Sequence, residues 1–205
     1  MQAKRFWGSI FALAIICSIG VSAFAGGSSP SGNQNGASLM PLSDDEAATL
    51  KFMREEEKLA RDVYLAMYER WGAAIFSNIA KSEQRHMDAL KSLLDKYGLP
   101  DPAPQKIGVF SDLSLQELYN ELISRGQQSV LDAYRVGGLI EEIDIKDLKD
   151  AIEETDRVDL ERVYMNLLSG SYNHLRAFVS HIESLGVPYV AQYLSQAEVD
   201  AILGE

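Results

Sequence analysis

SDDEAATLKFMREEEKLARDVYLAMYERWG, residues 43–72, is the stretch on which the fold turns. Ser43, followed three residues later by Glu46, is a capping box: the serine oxygen accepts from the third helical N–H, and the glutamate reaches back to the serine's own N–H. Gly72 supplies the stop. Between these signals Leu50, Met53, Ala60, Tyr64, Met67 and Trp71 recur at alternating steps of three and four, which is the stripe a helix buries against its neighbours. Glu57 stands in the middle of that stripe. A carboxylate at such a position costs several kcal/mol unless something pairs with it.

Working outward, the same pattern returns three times. A second helix is predicted over 73–97, ended by Gly98 and by Pro100, Pro102 and Pro104, which cannot continue it. A connection of about thirty residues follows, with a short helix expected to open on a capping box at Ser114 and Glu117. A third long helix is predicted over 127–154, a fourth over 159–185, and a short terminal one from Ser195. No strand alternation of useful length occurs. Four long helices with two tight turns and one long crossover predict an all-α, ferritin-like four-helix bundle.

Each predicted seam is interrupted by polar residues. The second helix carries Glu83 and His86 between Phe76, Ile79 and Leu90, Leu93; the third carries Glu141 and Asp144 between Tyr134, Gly137 and Leu148, Ala151. The fourth carries Ser171 and His174 between Tyr164, Leu167 and Phe178, with His181 two turns further on. The interruptions stand at similar distances from the turns. Glu57 lies 15 residues before Gly72, with Glu83 and His86 11 and 14 after it; Glu141 lies 15 before Asp156, with Ser171 and His174 15 and 18 after. At about 1.5 Å per residue the interruptions agree within about one turn. No seam lysine or arginine compensates them, so a pair of divalent metal ions is the simplest cation that would.

Charge and composition narrow the function. The formal net charge is −11, with the acids spread along the chain, so a nucleic-acid role is set aside. The single cysteine, Cys17, allows neither an internal disulfide nor a cysteine zinc site, and leaves oxygen and nitrogen as metal ligands. Lys4 and Arg5, an apolar run over 7–24 and the Ala23-Phe24-Ala25 site read as an export signal cleaved after Ala25, giving a periplasmic or secreted protein. An uncleaved N-terminal membrane anchor is the alternative. Residues 26–41, rich in Gly, Ser, Asn and Pro, are expected to be a flexible linker ahead of a domain over 42–205.

The residues that carry a family resemblance are Glu57 with Tyr64 seven positions on, Glu83-Gln84-Arg85-His86, Glu141 and His174. Together with the stretches 54–64 and 173–178, they resemble the ferritin-like di-iron carboxylate proteins, the rubrerythrin-like branch of them, and within it the DUF2202 domain proteins. The resemblance implies two iron ions, with manganese or a mixed pair as alternatives, held and bridged by Glu57, Glu83 and Glu141 and completed by His86 and His174. It further implies oxidoreductase chemistry of peroxidase or ferroxidase type on peroxide, dioxygen or ferrous iron. The family pattern expects a second Glu-x-x-His on the fourth helix, where this chain has Ser171-Tyr172-Asn173-His174. Asp144 or a water could take the missing carboxylate's place. No Cys-x-x-Cys pair of a rubredoxin module is present, so an electron donor would be a separate protein or the substrate itself. A homodimer is left open as the assembly.

Glu55, Glu56 and Glu57 also form a charge run of the kind that usually faces water, and Glu56 shares a second stripe with Phe52, Leu59 and Val63 as an alternative ligand. Tyr64, Tyr134, Ser171 and His181 are expected around the ligands, where a tyrosine could orient a carboxylate by hydrogen bonding. The competing class is a non-catalytic envelope bundle that binds metal or a partner.

Overall fold

The computed structural model describes residues 40–204. The predicted export signal and all but the last two residues of the predicted linker lie outside them. Six helices make up the described chain, which contains no strand: α1 Asp44–Trp71, α2 Ala74–Tyr97, α3 Leu113–Gly126, α4 Val130–Glu154, α5 Val158–Ser184 and α6 Gln196–Leu203. No described helix is long and apolar enough to cross a membrane.

The caps explain most of the boundaries. Ser43 and Glu46 form both halves of their capping box, and Gly72, at φ 69°, donates its N–H to Tyr68 O. Gly98 closes α2 in the same left-handed conformation, φ 67°, which a side chain would strain. Two expected starts shift. The crossover helix begins earlier than the Ser114 box, because Asp112 accepts from the N–H groups of Ser114 and Leu115. It is also longer than expected, and Gln127, assigned by sequence to the next helix, caps its C-terminus. Accordingly α4 starts three residues late, at Val130, with Ser129 accepting from Asp132 N–H.

α1 packs on α2 and α4 on α5; contacts of α1 with α4 and of α2 with α5 join the two hairpins into a closed ring. α3 lies against α1 and α4, and α6 against α5. Inside the ring the apolar core is in two parts. One contains Val63, Tyr64, Met67, Phe76, Phe178 and their neighbours; the other contains Leu50, Met53, Leu90, Leu94, Leu148 and Tyr164. Each long helix contributes to both, and along each the change falls at its polar seam residues, so the interior reads apolar, polar, apolar.

The charge run on α1 is not a solvated face. Glu55, Glu56 and Glu57 are all nearly inaccessible, at 3, 4 and 2% exposure. Glu57 is covered by α2 and Glu56 by α4, while the crossover folds back over the Glu55 side of α1. Glu55 accepts from the backbone N–H of Ser111 (2.7 Å) and Asp112 (3.0 Å). Lys58 donates to Asp62 (2.5 Å) and to the carbonyls of Lys106 and Val109 (3.1 Å each). Arg54 forks onto Asp101 through its Nε and Nη2. Glu55, Lys58 and Arg54 are thus paired, which is the condition on which an interior tolerates charge.

Candidate metal centre

The polar layer contains one side chain from α1, two each from α2, α4 and α5, and they meet across every interface of the ring. Glu57 on α1 faces α2, where His86 Nδ1 lies 3.2 Å from Glu57 Oε2 and 2.8 Å from Glu83 Oε2. Glu83 also faces α5: its Oε1 is 2.9 Å from His174 Nδ1, which lies 3.4 Å from Glu141 Oε2 on α4. Glu83 is thus shared. Two groups, Glu57–Glu83–His86 and Glu83–Glu141–His174, each place three ligand atoms within 4.8 Å of one another. The i and i+3 spacing of Glu83 and His86 puts both on one face of α2, and the two imidazole rings stack with centroids 5.7 Å apart.

Several of these atoms approach without bonding. His174 Nδ1 and Glu83 Oε1 are in reach by distance, yet neither has a hydrogen-bond partner, and Glu57 Oε1 and Asp144 Oδ1 are buried without one too. Native interiors pair nearly all their polar atoms. Unpaired carboxylate oxygens and an imidazole nitrogen converging on one layer are the donor set that divalent first-row metals take. The residues therefore fit a metal pair, by donor chemistry and by the orphaned atoms.

The electrostatics reflect the crowding. Burial pushes Glu57 up to about 8, against the pull of the His86 imidazole. Burial raises Glu141 too, with His174 opposing it. Asp144 rises well above the carboxylate range, through burial and then the neighbouring Glu57 and Glu141. Glu83 goes the other way. Although burial works against its charge, the close imidazoles of His174 and His86 hold it at about 2. Burial likewise opposes charge on the histidines, but Glu57 and Glu83 lift His86 to about 11, and Glu141 and Glu83 lift His174 to about 10. Without a metal, the protons on the two imidazoles are the layer's counter-charge.

Neighbouring residues hold the layer's carboxylates in place. Tyr64 donates a 2.5 Å hydrogen bond to Glu141 Oε1. Ser171, where a carboxylate was expected, shares its one hydroxyl proton between Asp144 Oδ2 and Leu167 O. It turns the aspartate toward α5 and leaves Asp144 Oδ1 unpaired. Two predicted neighbours lie elsewhere. Tyr134 stacks on Phe76, 5.5 Å between centroids, in the apolar layer below. His181 is exposed; its Nδ1 pairs with Ala177 O and its ring meets Tyr134 edge-on, because the buried stripe of α5 runs through Phe178, Val179 and Ile182 and leaves it at the edge. Glu56, the alternative to Glu57, turns instead toward Asp147 and Asp144 on α4.

Sequence reasoning missed Gly170. A Cβ there would stand 2.7 Å from both Cε1 and Nε2 of His86, so the imidazole occupies space that any other residue would take. A glycine inside a helix, at a cost of about 1 kcal/mol against alanine, was the available signal. It also missed Glu142, fully buried beside Glu141, which accepts from Tyr189 Oη and from the N–H groups of Gln192, Tyr193 and Leu194. That carboxylate fastens the segment before α6 and faces away from the layer.

The family described as "Uncharacterized protein domain (DUF2202)" matches residues 46–205. Uncharacterized protein MJ0754 of Methanocaldococcus jannaschii is 51% identical over 164 residues, covering 80% of this chain and 89% of that protein. The crystal structure of hypothetical protein MJ0754 matches with a TM-score of 0.79 at 48% identity, over 83% of this chain and 98% of that one. A crystal structure of a DUF305 fragment from Deinococcus radiodurans matches at TM-score 0.54 and 15% identity, over 71% of this chain and 99% of that one, a likeness of fold alone.

Proposed function

The chain belongs to the DUF2202 family, and on that premise we propose that the polar layer is a two-metal centre of the ferritin-like, rubrerythrin-like kind, in an exported iron-binding oxidoreductase acting on peroxide, dioxygen or ferrous iron. The observation that carries the reading is Glu83, one carboxylate shared by two carboxylate–imidazole groups. The closed ring of four long helices, with a single long connection between its hairpins, supports the ferritin-like topology.

Glu57 and His86 would hold one ion, Glu141 and His174 the other, with Glu83 between them and the free oxygen of Asp144 beside them. Two ferrous ions held there would supply two electrons to an oxidant; manganese or a mixed pair suits the same oxygen and nitrogen donors. Tyr64 keeps Glu141 in one orientation. The apolar clusters above and below exclude water, so the charges of the layer act in a medium of low dielectric. The electron donor is a separate protein or the substrate.

The second reading, a non-catalytic metal-binding or interaction bundle of the cell envelope, is favoured by one observation: on α5 the position of a fourth glutamate is held by Ser171, already bonded to Asp144. Elemental analysis of protein purified without chelator or affinity metal, with visible spectra before and after peroxide, separates the two. About two irons per chain and a near-ultraviolet band that responds to peroxide support the oxidoreductase. Iron without a response supports the binding bundle, and protein that takes up no metal after anaerobic ferrous loading refutes both metal readings.

A further inference from the structure

The acids of α4 do not stop at the layer. Glu141, Asp144, Asp147 and Asp150 follow one another at every third position. At about 3.6 residues per turn, each step of three falls about 60° short of a full turn, so the row winds around α4 instead of staying on its inner face. Exposure follows the winding: Glu141 and Asp144 are buried, Asp147 is half-buried, and the Asp150 side chain is 48% exposed. The row therefore runs from the centre to solvent.

From α1, Glu56 stands against the middle of this row. α1 packs on α4 there, and after burial itself Asp147 and then Asp144 are the charges that act most on Glu56. Glu56 is 4% exposed, and its Oε2 has no partner; nor has Asp144 Oδ1. Nearby cations are engaged elsewhere: Lys58 with Asp62, Lys146 with Asp150 at the outer end. An apolar residue at position 56 would pack there without the cost of an unpaired carboxylate. The two three-donor groups found among the described residues both include Glu83, and Glu56 with its neighbours forms no third. Carboxylates met one or two at a time attract a cation strongly enough to enter and weakly enough to leave, which is what passage requires.

We propose that Asp150, Asp147, Glu56 and Asp144 form an entry path that hands divalent cations from solvent to the centre, with Glu56 as its buried intermediate step. The inference rests on the metal-centre reading. It commits to the metal ion as the ligand and to a kinetic role, since the resident ions are held by other residues.

The test is the rate and end point of Co²⁺ uptake by the full chain, stripped with chelator and followed by visible absorption in a stopped flow. The variants are Glu56→Gln and Asp147→Asn, each an isosteric amide that removes a carboxylate contact, and Asp150→Asn, exposed enough to leave the fold intact. Glu69→Gln, on an exposed turn of α1, controls for net charge. The expected result is uptake slowed by about tenfold or more in Glu56→Gln and Asp147→Asn, slowed less in Asp150→Asn, with the wild-type end point in all three and no effect of Glu69→Gln. Wild-type rates in Glu56→Gln and Asp147→Asn overturn the path while leaving the centre standing. A lowered end point in Glu56→Gln makes Glu56 a ligand and also overturns it. A wild-type chain that binds no Co²⁺ removes the centre, and the path with it.

Discussion

The imidazole of His86 lies over Gly170, across the interface of α2 and α5, at a separation that leaves no room for a methyl group. On an exposed helix, glycine to alanine gains about 1 kcal/mol. Gly170→Ala is expected to forfeit that gain, because the methyl displaces a ring held by Glu57 and Glu83. The measurement is paired: a thermal midpoint no higher than wild type, and loss of the metal that His86 would bind while the Glu141–His174 side keeps its own. A stabilised variant with full metal content refutes the packing argument.

Tyr64 and Glu141 give a second prediction. Tyr64→Phe removes the hydroxyl that donates to Glu141 Oε1 and leaves the ring packed against Phe178. Because a partner that orients a ligand is worth about 10- to 100-fold in metal affinity, the variant is expected to bind metal that much more weakly. The apo-protein should lose only about 1 kcal/mol, as for one buried hydrogen bond. Competition with a chelator of known affinity and thermal unfolding read the two effects separately.

Glu83 is the one carboxylate common to both groups. Glu83→Gln is expected to abolish binding of both ions together, and in the apo-protein to remove the anion that lifts both histidines. Removing one bridging charge and losing only one ion would break the two-metal reading.

The metal-free protein should be least stable at high pH. Glu57 is raised to about 8 from its ordinary 4.5, so folding favours its protonated form and stability falls as pH climbs through that interval. His86 and His174 are raised to about 11 and about 10, and their contribution, complete below 6.5, fades over the range above it. Glu83, lowered to about 2, adds stability that is lost only below 4.5. All the shifts acting between about pH 5.5 and about pH 9 therefore have one sign, and the apo thermal midpoint is expected to fall across that window. Metal affinity should rise over it, because the metal displaces the protons. A midpoint that rises with pH contradicts this charge assignment.

Glu142 supplies the contrast. Glu142→Gln weakens the acceptor for Tyr189 and three backbone N–H groups. It is expected to lower stability by about 1–3 kcal/mol and to speed hydrogen exchange over residues 189–194, with metal content unchanged although Glu141 is its neighbour.

Sequence alone determined the helices and the register of the layer. Capping boxes and the three-four spacing are local, and a polar residue at a seam position must meet its counterparts wherever four such helices pack. Glu57, Glu83, His86, Glu141 and His174 were legible for that reason. What the tertiary structure decided depends on segments far apart in the chain. The crossover buries Lys58 and also Glu55, one of a charge run of the kind that usually faces water, because Ser111, Asp112 and Val109 arrive from some fifty residues away. Gly170 matters only through His86 on another helix. Glu56 lies toward Asp147 because α1 lies on α4, and His181 is exposed because the buried stripe of α5 continues through Phe178, Val179 and Ile182 and leaves it at the edge. Periodicity tells which face is turned inward; only the packed neighbours tell what each inward atom touches.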